Sequence, residues 1–377
     1  MDELTPLLVA WRVMRLGSRE VVDGLVAPEH QGPSARLTAV LDRWAGRWYW
    51  ADDLRTRLVL VRAVPGARRT RWVLHAVLFA LTILCSLGAG AALAGVWYPY
   101  SPPGFSGFFT GAGQFFINAA RGDWRILLDG WTFAVPLLGI LLVHESGHYF
   151  AARRYGIDTS PPFFLPIPPT ISPIGSLGAF IRLRSPLLDR RQLLDVGAAG
   201  PIAGFVVAIA VLLWGYPTSE PLGVVPAGSA VTWVTFAGQP IGLGDSLLTH
   251  WLRENAFPGA AGVHLSLPAF AGWVGVFITG LNLLPLSQLD GGHVVYGVLG
   301  KHQRLVALGT VAGLLVLAQY SASWYVWVAM TFLIGGGRWT HPSVLIPERK
   351  VPGSRRWVGL LCIVIFVLTF VPIPFGS

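Results

Sequence analysis

Trp131-Thr-Phe-Ala-Val-Pro-Leu-Leu-Gly-Ile-Leu-Leu-Val143 runs thirteen residues without a charge and then reads His144-Glu145-Ser146-Gly147-His148. An apolar window approaching 20 residues marks a membrane-spanning helix. Histidines four apart on such a helix share one face, about 6 Å apart along the axis, so both imidazoles can reach one metal ion. The glutamate beside the first can take a proton from water, which is the HExxH arrangement of zinc hydrolases. Ionisable side chains inside an apolar helix are costly and are retained where they pair, bind ions or line a wet cavity. Three of them at ligand spacing are hard to account for as core residues.

The rest of the chain has the same character. Apolar residues make up 53% of its 377 residues and charged residues 12%, about half the roughly 25% of soluble globular proteins. Mean hydropathy is +0.57. A chain of this kind cannot hide its apolar surface in its own core, so the expected fold is an all-α polytopic membrane protein. Apolar windows fall near 72–96, 131–153, 195–215, 268–287, 304–320, 322–337 and 357–375. These give six to seven transmembrane helices, because only Ser321-Ala322-Ser323 divides the fifth from the sixth. Four regions follow: a basic N-terminal extension (1–71), a first helix with its external loop (72–130), a core (131–300) and C-terminal helices (301–377).

The net charge of +9 is distributed by loop. Residues 1–71 carry twelve arginines, whereas 217–267 holds only Arg253. Basic loops alternate with poor ones, which places the N-terminus in the cytoplasm of an integral, multi-pass protein, with a bacterial cytoplasmic membrane as the expected location. The same clustering fits anionic lipid and argues against a nucleic-acid partner. The extension reads as a solvated basic segment near the lipid surface, with Leu7–Leu16 as a short interfacial helix or part of a cytosolic cap. Cys85 and Cys362 both sit inside apolar spans, so no disulfide framework or CxxC site is expected. The N-terminal Met-Asp-Glu lacks the basic and apolar regions of a signal peptide, so none is expected.

Two histidines and a water leave a tetrahedral zinc one protein ligand short. The fourth span ends in Asn282-Leu-Leu-Pro-Leu-Ser-Gln-Leu-Asp290-Gly-Gly-His293, where Pro285 breaks the helix and the glycines allow the aspartate to turn inward. Asp290 is therefore the candidate third ligand; its plainer role would be to cap the next helix. Both motifs lie toward the cytoplasmic side on the assigned topology, so they can meet. Between them, 161–173 holds six prolines and must be a loop, and Gly175–Arg184 follows with strand-like character in its second half. A short β-hairpin there could present an edge to an unwound substrate, or be a simple surface hairpin. His293 could lie beside Asp290, Gly197, Gly200 and Gly204 read as sites of close helix packing, and Asp245 faces the exterior with no assigned chemistry.

HESGH in one span and NLLPLSQLDGGH at the end of a later one resemble the paired motifs of the site-2 protease family of intramembrane zinc metalloproteases. Gly200-Pro201-Ile-Ala-Gly204 is similar to that family's small-residue motif, and GSLGAFIRLRSP and Gly244-Asp-Ser-Leu-Leu248 to the subgroup that includes plastid EGY-type proteases. The resemblance covers about 131–300. It implies one zinc ion held by His144, His148 and Asp290, Glu145 as catalytic base, and Asn282 orienting substrate or stabilising an oxyanion. It also implies transmembrane protein substrates, such as membrane-anchored regulators cut in regulated intramembrane proteolysis. No PDZ segment is evident in 217–267, and no CBS pair at the C-terminus. Two alternatives use the same ligands: a metal transporter, which would be expected to show repeats and an alternating path, and a non-catalytic client-binding protein, which would not need Glu145.

Overall fold

A computed structural model describes residues 3–16, 19–63, 70–97, 105–184, 187–225, 230–341, 344, 349 and 351–376. It is not all-α. Among the described residues three sheets accompany the helices. One is the short hairpin expected within 161–184, although its first strand (Phe163–Pro166) falls inside the proline-rich stretch read as loop. The other two lie where the sequence suggested a solvated extension, loop or tail.

The first sheet is the N-terminal region. Strands β1 (Leu8–Leu16), β2 (Arg19–Val26), β3 (Gly46–Trp50) and β4 (Arg57–Ala63) form an antiparallel sheet in the order β1-β2-β4-β3. Helix α1 (Ala35–Asp42) starts at Ser34, whose hydroxyl accepts from the Leu37 N–H, and closes one face. Leu7, Val22, Leu37, Leu41, Leu58 and Leu60 form the core between them. The Arg57 guanidinium grips Asp23 through two bonds of 2.8 and 2.6 Å. Residues 3–16 and 19–63 thus form a folded unit rather than a solvated basic segment, and Leu8–Leu16 is a strand rather than an interfacial helix. The other face of the sheet packs Val21, Val59 and Val61 against Leu188, and Arg47 donates to the Tyr155 carbonyl (3.3 Å).

Among the described residues three helical segments are long and apolar enough to cross a bilayer: Trp72–Leu93, Trp124–Arg154 and Arg190–Thr218. The first is α2 (Trp72–Leu93); after α3 (Phe105–Asn118), the second joins the short α4 (Trp124–Leu127) to α5 (Trp131–Arg154), and the third contains α6 (Arg190–Gly215). The expectation of six to seven spans is corrected by helix length. Helix α7 (Leu247–Ala256) is polar, and α8 (Leu267–Asn282) stops after 16 residues where the expected span ran to 287. Helix α9 (Asp290–Leu299) is separate. The remaining helices, α10 (Gln303–Leu317), α11 (Ser323–Ile334) and α12 (Arg356–Thr369), have 15, 12 and 14 residues. At 1.5 Å per residue these reach only about 18–23 Å, short of a hydrocarbon core of roughly 30 Å.

The second sheet is the hairpin of β5 (Phe163–Pro166) and β6 (Ser176–Phe180), with Phe163 opposite Phe180. It packs on α2, where a Cβ on Gly175 would sit 2.5 Å from the Cys85 carbonyl oxygen. His75 on the same helix lies 3.1 Å from the Pro162 carbonyl and under the Phe163 ring. The third sheet fills much of 217–267. Strands β7 (Glu220–Leu222), β8 (Thr232–Phe236), β9 (Gln239–Leu243), β10 (Gly262–His264) and the C-terminal β11 (Phe375–Gly376) run in the order β11-β9-β8-β10-β7. Asp245 ties α7 to this sheet: it accepts from Thr232 and Thr249 and pairs with Arg253 at 3.0 Å.

Candidate metal centre

Helices α5 and α6 approach closely because glycine removes the side chains between them. A Cβ on Gly147 would meet the Ala199 carbonyl oxygen at 2.5 Å, and one on Gly204 would meet the His144 ring at 3.0 Å. At Gly200 the space is taken by a functional group: a Cβ there would lie 2.1 Å from Nε2 of His148. On the same glycine stripe of α6, Gly197 abuts His293 of α9. The small-residue stretch of α6 is therefore the floor on which both histidine-bearing helices rest.

His144 and His148 point the same way from α5, as their spacing requires. Nδ1 of His148 donates to the Val196 carbonyl (2.7 Å), which leaves Nε2 as the free acceptor nitrogen. Asp290 comes from the first turn of α9. It reaches the pair because the chain leaves helical geometry between Asn282 and Asp290, with Ser287 at φ +42°. Gly291 and Gly292 let that turn close, since a Cβ on either would meet the carbonyls of Leu283 and Ser287 at 1.9 and 2.3 Å. The three donors converge. Nε2 of His144 is 3.1 Å from one Asp290 oxygen, Nε2 of His148 is 3.2 Å from the other, and the two nitrogens are 3.2 Å apart.

These separations suit a cation. Ligand atoms about 2.0–2.2 Å from a tetrahedral ion stand roughly 3.3–3.6 Å from one another. Two imidazoles and a carboxylate are also the donor types zinc takes, and the Val196 carbonyl presets one ring, as commonly found around metal-bound histidines. Glu145 lies in the same buried cluster, and the Ile181 backbone N–H faces its carboxylate. Asn282 places its amide nitrogen 3.4 Å from Nε2 of His144. A cavity of about 200 Å³ opens over the group, lined also by Ala179, Phe180 and Gln288. The end of the β-hairpin therefore forms one wall.

All five residues singled out from the sequence meet here, and His293 lines the same cavity. Gly200 and the Val196 carbonyl were not legible as site groups. A glycine whose absent side chain makes room for an imidazole looks, in sequence, like any helix-packing glycine. At the same end of α5 the Tyr155 phenol donates to Asp195, and burial together with that carboxylate holds it above its ordinary pKa. Asp245 lies with the third sheet, apart from this cavity.

Comparison with known proteins agrees with this geometry. The probable zinc metalloprotease EGY2, chloroplastic, of Arabidopsis thaliana is 30% identical over 262 residues, covering 69% of this chain and 44% of the relative. The probable zinc metalloprotease EGY1, chloroplastic, of the same plant is 30% identical over 319 residues, covering 80% and 53%. A rice relative, the probable zinc metalloprotease EGY3, chloroplastic, of Oryza sativa subsp. indica, is 27% identical over 278 residues, covering 71% and 45%. The chain spans about half the length of these relatives. Their names place them in chloroplasts, so the similarity lends no support to a bacterial cytoplasmic membrane; with the three apolar helices it supports a membrane protein. No solved structure matches the chain. Residues 132–319, from the start of α5 to just past α10, match Peptidase family M50, and the chain belongs to that family, the site-2 proteases.

Proposed function

We propose that this chain is a zinc metalloendopeptidase that hydrolyses peptide bonds within or near transmembrane segments of membrane-anchored proteins. One observation carries the reading: two imidazoles and a carboxylate from separate helices close on one point, with a second carboxylate and an open cavity beside them. Family membership and the zinc metalloprotease relatives support it.

His144, His148 and Asp290 would hold one zinc ion. The ion supplies the Lewis acidity that lets water act as a nucleophile near neutral pH. Glu145 takes the proton of the attacking water and returns it to the departing amine. The Asn282 amide can donate to the oxygen on which negative charge develops. Val196 keeps His148 in the tautomer that presents Nε2 to the site. A helical substrate shields its own scissile bond, so it must unwind near the cavity. The edge of β6 left unpaired by β5, ending at Ala179 and Phe180 in the cavity wall, suits an extended segment added as a further strand. In the cell this chemistry would serve regulated intramembrane proteolysis of an anchored regulator.

Glu145→Ala tests the reading in the purified full chain with a model transmembrane substrate. Zinc content should be retained and cleavage lost. Cleavage at the native rate would overturn the assigned base, and with it the mechanism.

A further inference from the structure

Asp290 sits at the end of a segment that is held partly by its own backbone bonds and partly from elsewhere in the chain. Residues 283–289 are non-helical, and Ser287 adopts a left-handed conformation that L side chains rarely take. Within the segment the Leu286 N–H donates to the Leu284 carbonyl (2.7 Å) and the Leu289 N–H to the Leu286 carbonyl (3.0 Å); the remaining ties come from later in the chain. The Ser287 N–H donates to the Trp339 carbonyl (2.7 Å). Gln303, 1% exposed at the start of α10, donates to the Pro285 carbonyl (3.1 Å) and accepts from the His341 N–H (3.0 Å). Nε2 of His341 lies 2.7 Å from Nδ1 of His293, one turn beyond Asp290 on α9. Its ring also lies against Tyr296, tilted by 32° with centroids 4.7 Å apart.

The segment supplying the Trp339 and His341 ties follows α11. Gly336 and Gly337 have φ of +63° and +78°, and a Cβ on Gly335 would strike Ser287 Oγ at 2.5 Å. This glycine turn drops the chain from α11 directly onto the Asp290 loop. It lies outside residues 132–319, where the family match ends.

We infer that residues 335–341 are a brace that sets the position of Asp290, with His341 as its positioning residue, acting through His293 on one side and through Gln303 and Pro285 on the other. The inference rests on the metal-centre reading above and deepens it: affinity for zinc is then controlled by a segment that supplies none of the three ligands. His341 contributes orientation, not chemistry.

The test uses the full chain, its zinc affinity by chelator competition, the electronic spectrum of the cobalt-substituted protein, and the melting temperature of the metal-free protein. His341→Phe keeps a ring on Tyr296 and removes Nε2; His341→Gln returns a nitrogen near the same place. Gln303→Met, of similar length, removes both of its bonds. The brace predicts that His341→Phe and Gln303→Met each lower zinc affinity on the order of 10- to 100-fold and alter the cobalt spectrum. It predicts little change in metal-free melting, and recovery of most of the affinity in His341→Gln. Native affinity and an unaltered spectrum in both His341→Phe and Gln303→Met would overturn the brace alone. A native chain that takes up no zinc would instead overturn the metal-centre reading, and the brace with it.

Discussion

Gly200 and His148 occupy one another's space: a methyl group on the glycine would lie 2.1 Å from the imidazole Nε2, well inside van der Waals contact. The ring cannot swing aside without losing its 2.7 Å bond to the Val196 carbonyl, one turn earlier on the same helix. Helix α6 thus acts on His148 twice, orienting one face of the ring and leaving room for the other.

Gly200→Ala is expected to displace His148. The added methyl should cost about 1–3 kcal/mol in strain, and zinc affinity should fall at least 10- to 100-fold. Metal analysis of the purified variant checks this. Gly139→Ala on α5 is the control, since a Cβ there meets nothing within 4 Å. It should keep its zinc and gain up to about 1 kcal/mol from helix propensity.

Asp290→Ala removes the carboxylate that faces both imidazoles at 3.1 and 3.2 Å. Zinc should then be lost on dialysis, while Glu145→Ala retains it. The two variants would be equally inactive and differ in metal content. Stoichiometric zinc after dialysis of Asp290→Ala would refute its role as a ligand.

The site was legible in the sequence to the extent that its geometry is local. His144, Glu145 and His148 owe their arrangement to helical spacing, and Asp290 was marked by a proline and two glycines that announce a broken helix. Gly200 was legible only as a packing residue, because what it makes room for comes from another helix. The two larger sheets were missed for a different reason. Arg57-Leu-Val-Leu-Val-Arg-Ala63 and Arg19-Glu-Val-Val-Asp-Gly-Leu-Val26 are β-branched runs of strand length, yet whole-chain hydropathy drew attention to helices. The count of spans failed where apolar windows ran through helix ends, as at Asn282, since hydropathy does not sense a chain leaving helical geometry.

Leu58→Ala tests whether the N-terminal sheet is a packed unit. Leu58 is fully buried between β2, β3 and α1, and truncating it should cost about 2–5 kcal/mol. The arginines of residues 3–63 should then become sensitive to trypsin. Leu54→Ala, 79% exposed, should change stability by less than about 0.5 kcal/mol. Equal trypsin resistance in Leu58→Ala and the native chain would mean that this sheet contributes no stable core.

The third sheet should be separable from the metal centre in stability. Asp245 and Arg253 have side chains only 11% and 8% exposed, and Asp245 has two hydroxyls, those of Thr232 and Thr249, as its other partners. Arg253→Met strands a buried carboxylate and should destabilise this region by roughly 3–5 kcal/mol. Replacing both members, Arg253→Met with Asp245→Leu, removes the uncompensated charge and should recover much of that loss, since a buried ion pair often stabilises no more than an apolar pair of similar size. The site lies around Val196–Gly204, and the sheet begins beyond Gly215, at least about 16 Å further along α6. Zinc content at 25 °C should therefore be native in both variants while hydrogen exchange rises across β8, β9 and α7 in the single one. Loss of zinc from Arg253→Met without faster exchange in those elements would show that the pair acts on the metal centre itself.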